Sequence, residues 1–164
     1  MPKLGRAGYS TGEAIAELID NSVDARIPGE FLTVKIRINR DYIEVSDDGS
    51  GMDEKTAANS LRLAYSTKKN QLGEYGLGLK TACQSLGEKF SIMTKKEGTE
   101  EEYYLEFDEK EWLEKGDWKE HKLELFSSEK NKRGTTIKIE KLKIKYYDPL
   151  VTILKKVFSE RFGP

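Results

Sequence analysis

Glu13-Ala14-Ile15-Ala16-Glu17-Leu18-Ile19-Asp20-Asn21-Ser22-Val23-Asp24 is the stretch on which the reading of this chain turns. Ala14, Ile15, Leu18 and Ile19 recur at helical spacing and make one apolar stripe. Glu13, Glu17, Asp20, Asn21 and Asp24 share another face of the same helix. Ser10 or Thr11 can cap its start, Glu13 in the first turn suits the helix dipole, and Arg26-Ile27-Pro28-Gly29 ends it. Carboxylates stacked in this way repel one another and cost helix stability. Two readings fit them: a cation site with a carboxylate beside it that can activate water, or the solvated acidic face of an ordinary amphipathic helix.

Outward from this helix the period changes. Val34, Ile36 and Ile38 alternate with Lys35 and Arg37, which predicts a half-buried strand over Thr33 to Ile38. A turn at Asn39-Arg40-Asp41 leads to a second strand, Tyr42 to Ser46. Glu54 to Ala64 reads as helix, Ser66 to Gly76 as loop and Leu77 to Leu86 as a short helix. Four further strands are predicted, over Phe90 to Thr94, Glu102 to Phe107, Lys122 to Phe126 and Thr135 to Glu140, before a closing helix over Pro149 to Phe158. Successive strands late in the chain favour an α+β sandwich over a doubly wound parallel sheet.

Composition narrows the function classes. The 164 residues carry 28 Lys+Arg against 29 Asp+Glu, a net charge of −1, with 35% charged and 10% aromatic residues. No global positive field exists to collect phosphates, which argues against a dedicated basic nucleic-acid module. Near-zero net charge with this aromatic content argues against disorder. No apolar run is long enough to span a membrane. One cysteine, Cys83, permits no internal disulfide and reads as packed and inert; one histidine, His121, excludes paired-histidine zinc sites and reads as a surface residue. With no apolar signal-peptide core after Met1, the expected compartment is the cytoplasm, or the nucleus of a eukaryote.

Two glycine blocks follow the acidic helix. In Asp47-Asp48-Gly49-Ser50-Gly51-Met52 the glycines either make a plain β-turn or let the chain pass close to a ligand, while Asp47 offers an acceptor to a donor such as an exocyclic amine. In Gly73-Glu74-Tyr75-Gly76-Leu77-Gly78-Leu79-Lys80-Thr81 two familiar fingerprints fail. A P-loop needs Gly-Lys adjacent, and Leu79 separates Gly78 from Lys80; a dinucleotide fingerprint needs a glycine where Thr81 stands. What remains is a glycine loop feeding a helix N-terminus, whose free amides suit phosphate, or a flexible loop with a glycine-mediated helix start.

The order of the blocks carries more than any one of them. With Arg133-Gly134-Thr135-Thr136-Ile137, they resemble the four motifs of the GHKL ATPases, named for gyrase, heat-shock chaperone, histidine kinase and MutL. Glu17 to Asn21 resembles the first motif, Asp47-x-Gly49-x-Gly51 the second, Gly73 to Gly78 the third and Gly134-Thr135 the fourth. Ala16 to Ala25 and Gly76 to Lys80 look most like MutL- and MORC-like members. A histidine kinase fits less well, because that group generally lacks the first motif's glutamate.

The resemblance implies a Bergerat fold: a two-layer α/β sandwich of the α+β class, with a mixed, mostly antiparallel sheet covered by helices on one face. It implies one ATP-binding domain over residues 1–164, an N-terminal piece of a longer protein whose second, transducer-type domain is absent. ATP and Mg²⁺ are the implied cofactors. Glu17 would be the general base, Asn21 the magnesium ligand and Asp47 the acceptor for the adenine amine. Thr135 would support that contact, directly or through water, Gly76, Gly78 and the following amides would cradle the phosphates, and Gly49, Gly51, Met52, Gly73 and Leu77 would also bind the nucleotide. Lys80 would reach a phosphate oxygen or turn to solvent. Ser66 to Gln71 stands where the family keeps its lid. The implied function is Mg-dependent ATP hydrolysis that switches conformation or homodimerisation in a larger DNA-handling or chaperone-like machine. A nucleotide-gated interaction module without turnover, and a histidine-kinase-type module, are the alternatives. Any nucleic-acid or protein client would be reached through other domains, and no membrane partner is implied. The stretch Glu109 to Glu120, with Trp112 and Trp118, reads as an insertion between strands. Lys141, Lys143 and Lys145 read either as a basic strip for an acidic partner or as the wet face of a strand.

Overall fold

Ser10 starts the first helix with a capping box: its hydroxyl accepts from the Glu13 N–H (3.2 Å), and the Glu13 carboxylate accepts from the Ser10 N–H (3.0 Å). The computed structural model describes residues 10–57, 76–115, 123–127 and 132–144. Among these the chain runs α1 (Thr11–Asp24), β1 (Val34–Ile38), β2 (Tyr42–Asp47), α2 (Gly76–Leu86), β3 (Gly87–Lys95), β4 (Glu101–Asp108), α3 (Glu109–Lys115), β5 (Leu123–Ser127) and β6 (Gly134–Leu142). Residues 54–57 are helical; the rest of the helix expected there, the lid segment and the closing helix lie outside the described residues.

The six strands form one sheet in the order β1-β2-β6-β3-β4-β5, and every described pairing is antiparallel. The last strand in sequence is therefore inserted at the centre, between β2 and β3. Strand alternation sorts the sheet into two faces. On one, Ile43, Val45, Phe90, Ile92, Leu105, Phe107, Ile137 and Ile139 join Ala14, Ile15, Leu18, Ala82, Cys83 and Leu86 of α1 and α2 in a single core. Phe90 and Phe107 stack with ring centres 5.3 Å apart. The other face is polar, with Lys89–Glu106 (3.3 Å) and Arg37–Glu44 (3.8 Å) ion pairs and a Ser46–Thr136 hydroxyl pair (2.9 Å). Exposed pairs of this kind contribute at most about 1 kcal/mol each. Burying one large apolar side chain contributes about 1.5–3 kcal/mol, so the helix-covered face holds the domain together.

Asp108 caps α3 by accepting from the Lys110 and Glu111 N–H groups. Lys141 pairs with Asp108 (3.3 Å) and Lys143 with Glu109 (2.8 Å), so these two lysines tie the end of β6 to the start of α3. Lys145 lies outside the described residues. Part of the stretch read as an insertion is thus a helix docked through its own capping residue.

Candidate active site

Three neighbouring strands each place a polar residue where their apolar alternation calls for another core side chain. Asp47 follows Ile43 and Val45 on β2, Thr135 precedes Ile137 and Ile139 on β6, and Thr94 follows Phe90 and Ile92 on β3. Register sets Asp47 opposite Thr135, and Thr135 opposite Thr94, so the three stand in a row on the helix-covered face. Thr94 is fully buried, and its hydroxyl lies 2.8 Å from that of Thr135. The row floors a cleft that is also lined by Asn21, Ser22, Asp24, Ala25, Ser50, Gly51, Met52, Leu79 and Ile137. The cleft opens to solvent and holds about 610 Å³ of empty space, counting that open part.

Asp47 is an acceptor ringed by donors. Its Oδ1 accepts from the Gly49 N–H (2.9 Å), and the Ser22 hydroxyl and Thr135 N–H also donate to the carboxylate. Burial nevertheless outweighs these bonds and pushes its pKa above the usual carboxylate value. The Ser50 N–H donates to the Ala25 carbonyl (2.8 Å), which docks the loop against the end of α1. Gly51 takes a φ of +72°, and a Cβ there would collide with the Lys95 carbonyl oxygen, so this turn requires glycine. Arg133 straps the same loop: Nε donates to the Asp48 carbonyl (2.8 Å), while the guanidinium pairs with Glu30 (2.7 Å) and Glu97 (3.3 Å).

The second part of the site is the seam between α1 and α2. A Cβ on Gly78 would stand 2.6 Å from Glu17 Oε2, so the glycine lets the carboxylate lie against the first turn of α2. Asn21 sits one turn further along α1 and donates its Nδ2 to the Glu17 carbonyl (3.0 Å). Because a carbonyl can only accept, the Asn21 Oδ1 is left for the cleft that the residue lines. An amide oxygen suits a hard cation. Among the described residues no cluster of three or more His, Cys, Asp or Glu could hold a metal, so a cation at Asn21 would draw further oxygens from a ligand's phosphates, as Mg²⁺ commonly does.

The structure thus gathers Asn21, Asp47, Gly51, Met52 and Thr135 around the cleft, with Gly49 behind Asp47 and Glu17 against Gly78. Gly76 and Leu77 begin α2, and Gly73 lies outside the described residues. Lys80 stands elsewhere: it is 2% exposed, with its ammonium 4.5 Å from the centre of the Phe107 ring rather than on the cleft or in solvent. Cys83 is fully buried, and burial pushes its thiol pKa up, consistent with an inert packed residue. Two residues escaped the sequence argument. Ser22 was hidden inside the acidic block. Thr94 does carry a signal, a polar residue in phase with a buried alternation, but that signal means little until the strand's neighbours are known.

Burial depresses the Lys80 pKa from 10.5 to about 8. A lysine whose folded-state pKa is lowered weakens the fold while it is charged, and the penalty fades as pH rises from about 8 towards 10.5.

The fold is a two-layer α+β domain with a cleft between its first helix and the glycine turn after β2. The family described as histidine kinase-, DNA gyrase B-, and HSP90-like ATPase matches residues 9–142, and the chain belongs to it. Over 89 residues it is 37% identical to ATPase morc-1 of Caenorhabditis elegans, covering 52% of this chain and 10% of that protein. It is 40% identical over 89 residues to Protein MICRORCHIDIA 3 of Arabidopsis thaliana, covering 50% and 15%. To ATPase MORC2 of Homo sapiens it is 36% identical over 93 residues, covering 52% and 9%. The chain therefore spans between 9% and 15% of the length of these relatives. Among the described residues no helix is long and apolar enough to cross a membrane.

Proposed function

We propose that the chain binds ATP with Mg²⁺ in this cleft and hydrolyses it, and that its nucleotide state switches the conformation or homodimerisation of a longer protein. The observation that carries the proposal is the contact of Glu17 with Gly78. It sets a carboxylate one turn before Asn21, against the helix start whose N–H groups suit phosphate. In this reading Asp47 accepts from the adenine amine, with Thr135 beside it and Gly49, Gly51 and Met52 shaping the base end. The N–H groups of Gly76, Leu77 and Gly78, with Gly73 before them, hold the phosphates. Asn21 offers its amide oxygen to magnesium, which supplies charge neutralisation at the phosphate oxygens when bound. Glu17 orients the attacking water and takes its proton. The water oxygen bonds to the terminal phosphorus, the bond to the bridging oxygen breaks, and ADP leaves. Lys80 is given no phosphate role, because its ammonium packs over Phe107.

A second reading is a nucleotide-gated module with no turnover of its own. Any nucleic-acid or protein client belongs, in either reading, to segments beyond this cleft. Calorimetric titration with Mg²⁺ and a non-hydrolysable ATP analogue is expected to show one saturable site with Kd below about 1 mM. Absence of heat at millimolar ligand would sink both readings. Turnover measured on this chain and on a longer natural form separates them.

A further inference from the structure

Thr94 is the member of the polar row to which the reaction above assigns no task. It is fully buried on β3, and its hydroxyl makes two described contacts. The Met52 N–H donates to Thr94 Oγ1 at 2.9 Å, and Thr135 Oγ1 lies 2.8 Å away on β6. A hydroxyl has one proton to give and two lone pairs to receive with. The Met52 N–H occupies a lone pair, so the only described acceptor for the Thr94 proton is Thr135 Oγ1. The opposite direction, Thr135 donating to Thr94, would leave a fully buried proton without an acceptor and incur its desolvation penalty. The Thr135 proton is therefore turned away from Thr94, and Thr135 lines the cleft.

We propose that Thr94 is a positioning residue that fixes Thr135 as a hydrogen-bond donor, so that the Asp47–Thr135 pair reads an amine beside an unprotonated ring nitrogen. The proposal rests on the nucleotide reading given above and adds the residue that sets its polarity. Asp47 presents an acceptor ringed by Gly49, Ser22 and Thr135 donors, and directly beside it Thr135 presents a donor. Adenine offers the complementary order on its Watson–Crick edge, an amine next to a ring-nitrogen acceptor. Guanine offers the reverse on the same edge, a carbonyl next to an N–H, and meets like with like at both positions. Discrimination comes from the mismatched polar groups left unpaired. Loss of the Thr94 hydroxyl frees the Thr135 hydroxyl to rotate, and the donor is no longer committed to the cleft.

The test compares ATP with 1-deaza-ATP, in which a C–H replaces that ring nitrogen, by calorimetry on the 164-residue chain. The wild-type chain is expected to prefer ATP by about fivefold, the worth of one hydrogen bond. Thr94→Val, nearly isosteric, is expected to lower the ratio to about twofold by weakening ATP alone, since freeing one hydroxyl among three rotamers costs at most about a factor of three, whereas Thr94→Ser keeps the preference. Thr94→Ala provides the same comparison should the valine variant fail to fold. A merely structural role would weaken both ligands alike and leave the ratio standing. A retained ratio in the valine or alanine variant, a lost ratio in the serine variant, or a wild-type ratio of unity overturns the proposal while nucleotide binding stands. A wild-type chain that binds neither ligand overturns the nucleotide reading, and the proposal with it.

Discussion

Replacing Glu17 with glutamine is expected to leave ATP binding intact and to cut phosphate release by about 10²–10⁴-fold, the range for a lost general base. The substitution is isosteric, so the contact with Gly78 and the Asn21 bond to the residue 17 carbonyl both survive. What disappears is the capacity to accept a proton. Steady-state phosphate release, with calorimetry on the same preparation, checks both halves of the expectation. A Glu17→Gln chain that hydrolyses ATP at the wild-type rate would remove Glu17 from the reaction and leave the cleft as a binding site only.

Asp47→Asn is the complementary case, with a loss in affinity rather than in turnover. Every described hydrogen-bonding partner of the carboxylate is a donor: the Gly49 N–H, the Ser22 hydroxyl and the Thr135 N–H. An asparagine offers one acceptor oxygen in place of two, so the Gly49 and Thr135 N–H groups and the ligand's amine compete for it, and only the Ser22 hydroxyl can reverse to accept from the NH₂. The mismatch is worth about 2–3 kcal/mol, or about 30- to 150-fold in Kd. pH has a related effect. Burial holds the Asp47 pKa above its usual value, so acidification protonates it earlier than an exposed aspartate. Nucleotide affinity is then expected to fall as pH drops through this raised pKa. The sign is opposite for the stability of the empty protein. There the folded state holds the proton more tightly than the unfolded chain, so the Asp47 contribution favours low pH and is lost as pH rises through the folded-state value. Calorimetric Kd values across a pH series check the first trend, and an affinity unchanged in Asp47→Asn would remove Asp47 from base recognition.

The parts of the fold legible in the sequence are those specified by near neighbours. The spacing of Ala14, Ile15, Leu18 and Ile19, the Ser10–Glu13 cap and the Pro28-Gly29 stop are all local, and α1 (Thr11–Asp24) falls within a residue of its expected limits. Strand alternation around Val45, Ile92, Leu105 and Ile137 locates β2, β3, β4 and β6 in the same way. Lys80 shows the converse. The family resemblance puts this lysine on a phosphate and helix geometry also allows solvent, and nothing local says that Phe107, on β4, lies under its ammonium. The helix at Glu109 was equally hidden, since its anchors Lys141 and Lys143 come from the far end of the chain.

By itself the sequence determined the elements, the family-like order of the glycine motifs and the chemical types available: a carboxylate and an amide on one helix, an acceptor before two glycines, and amides at a helix start. Only the tertiary structure decided which of these meet. β6 enters the sheet between β2 and β3 and brings Thr135 beside Asp47 and 2.8 Å from Thr94, a residue 41 positions away in the chain. α1 crosses α2 so that Glu17 rests on Gly78. The physical reason is the range of the forces involved. Caps, turns and periodicity are written within a few residues of the chain. Strand order and helix crossing are selected by burying the whole apolar face at once, a property that no local window contains.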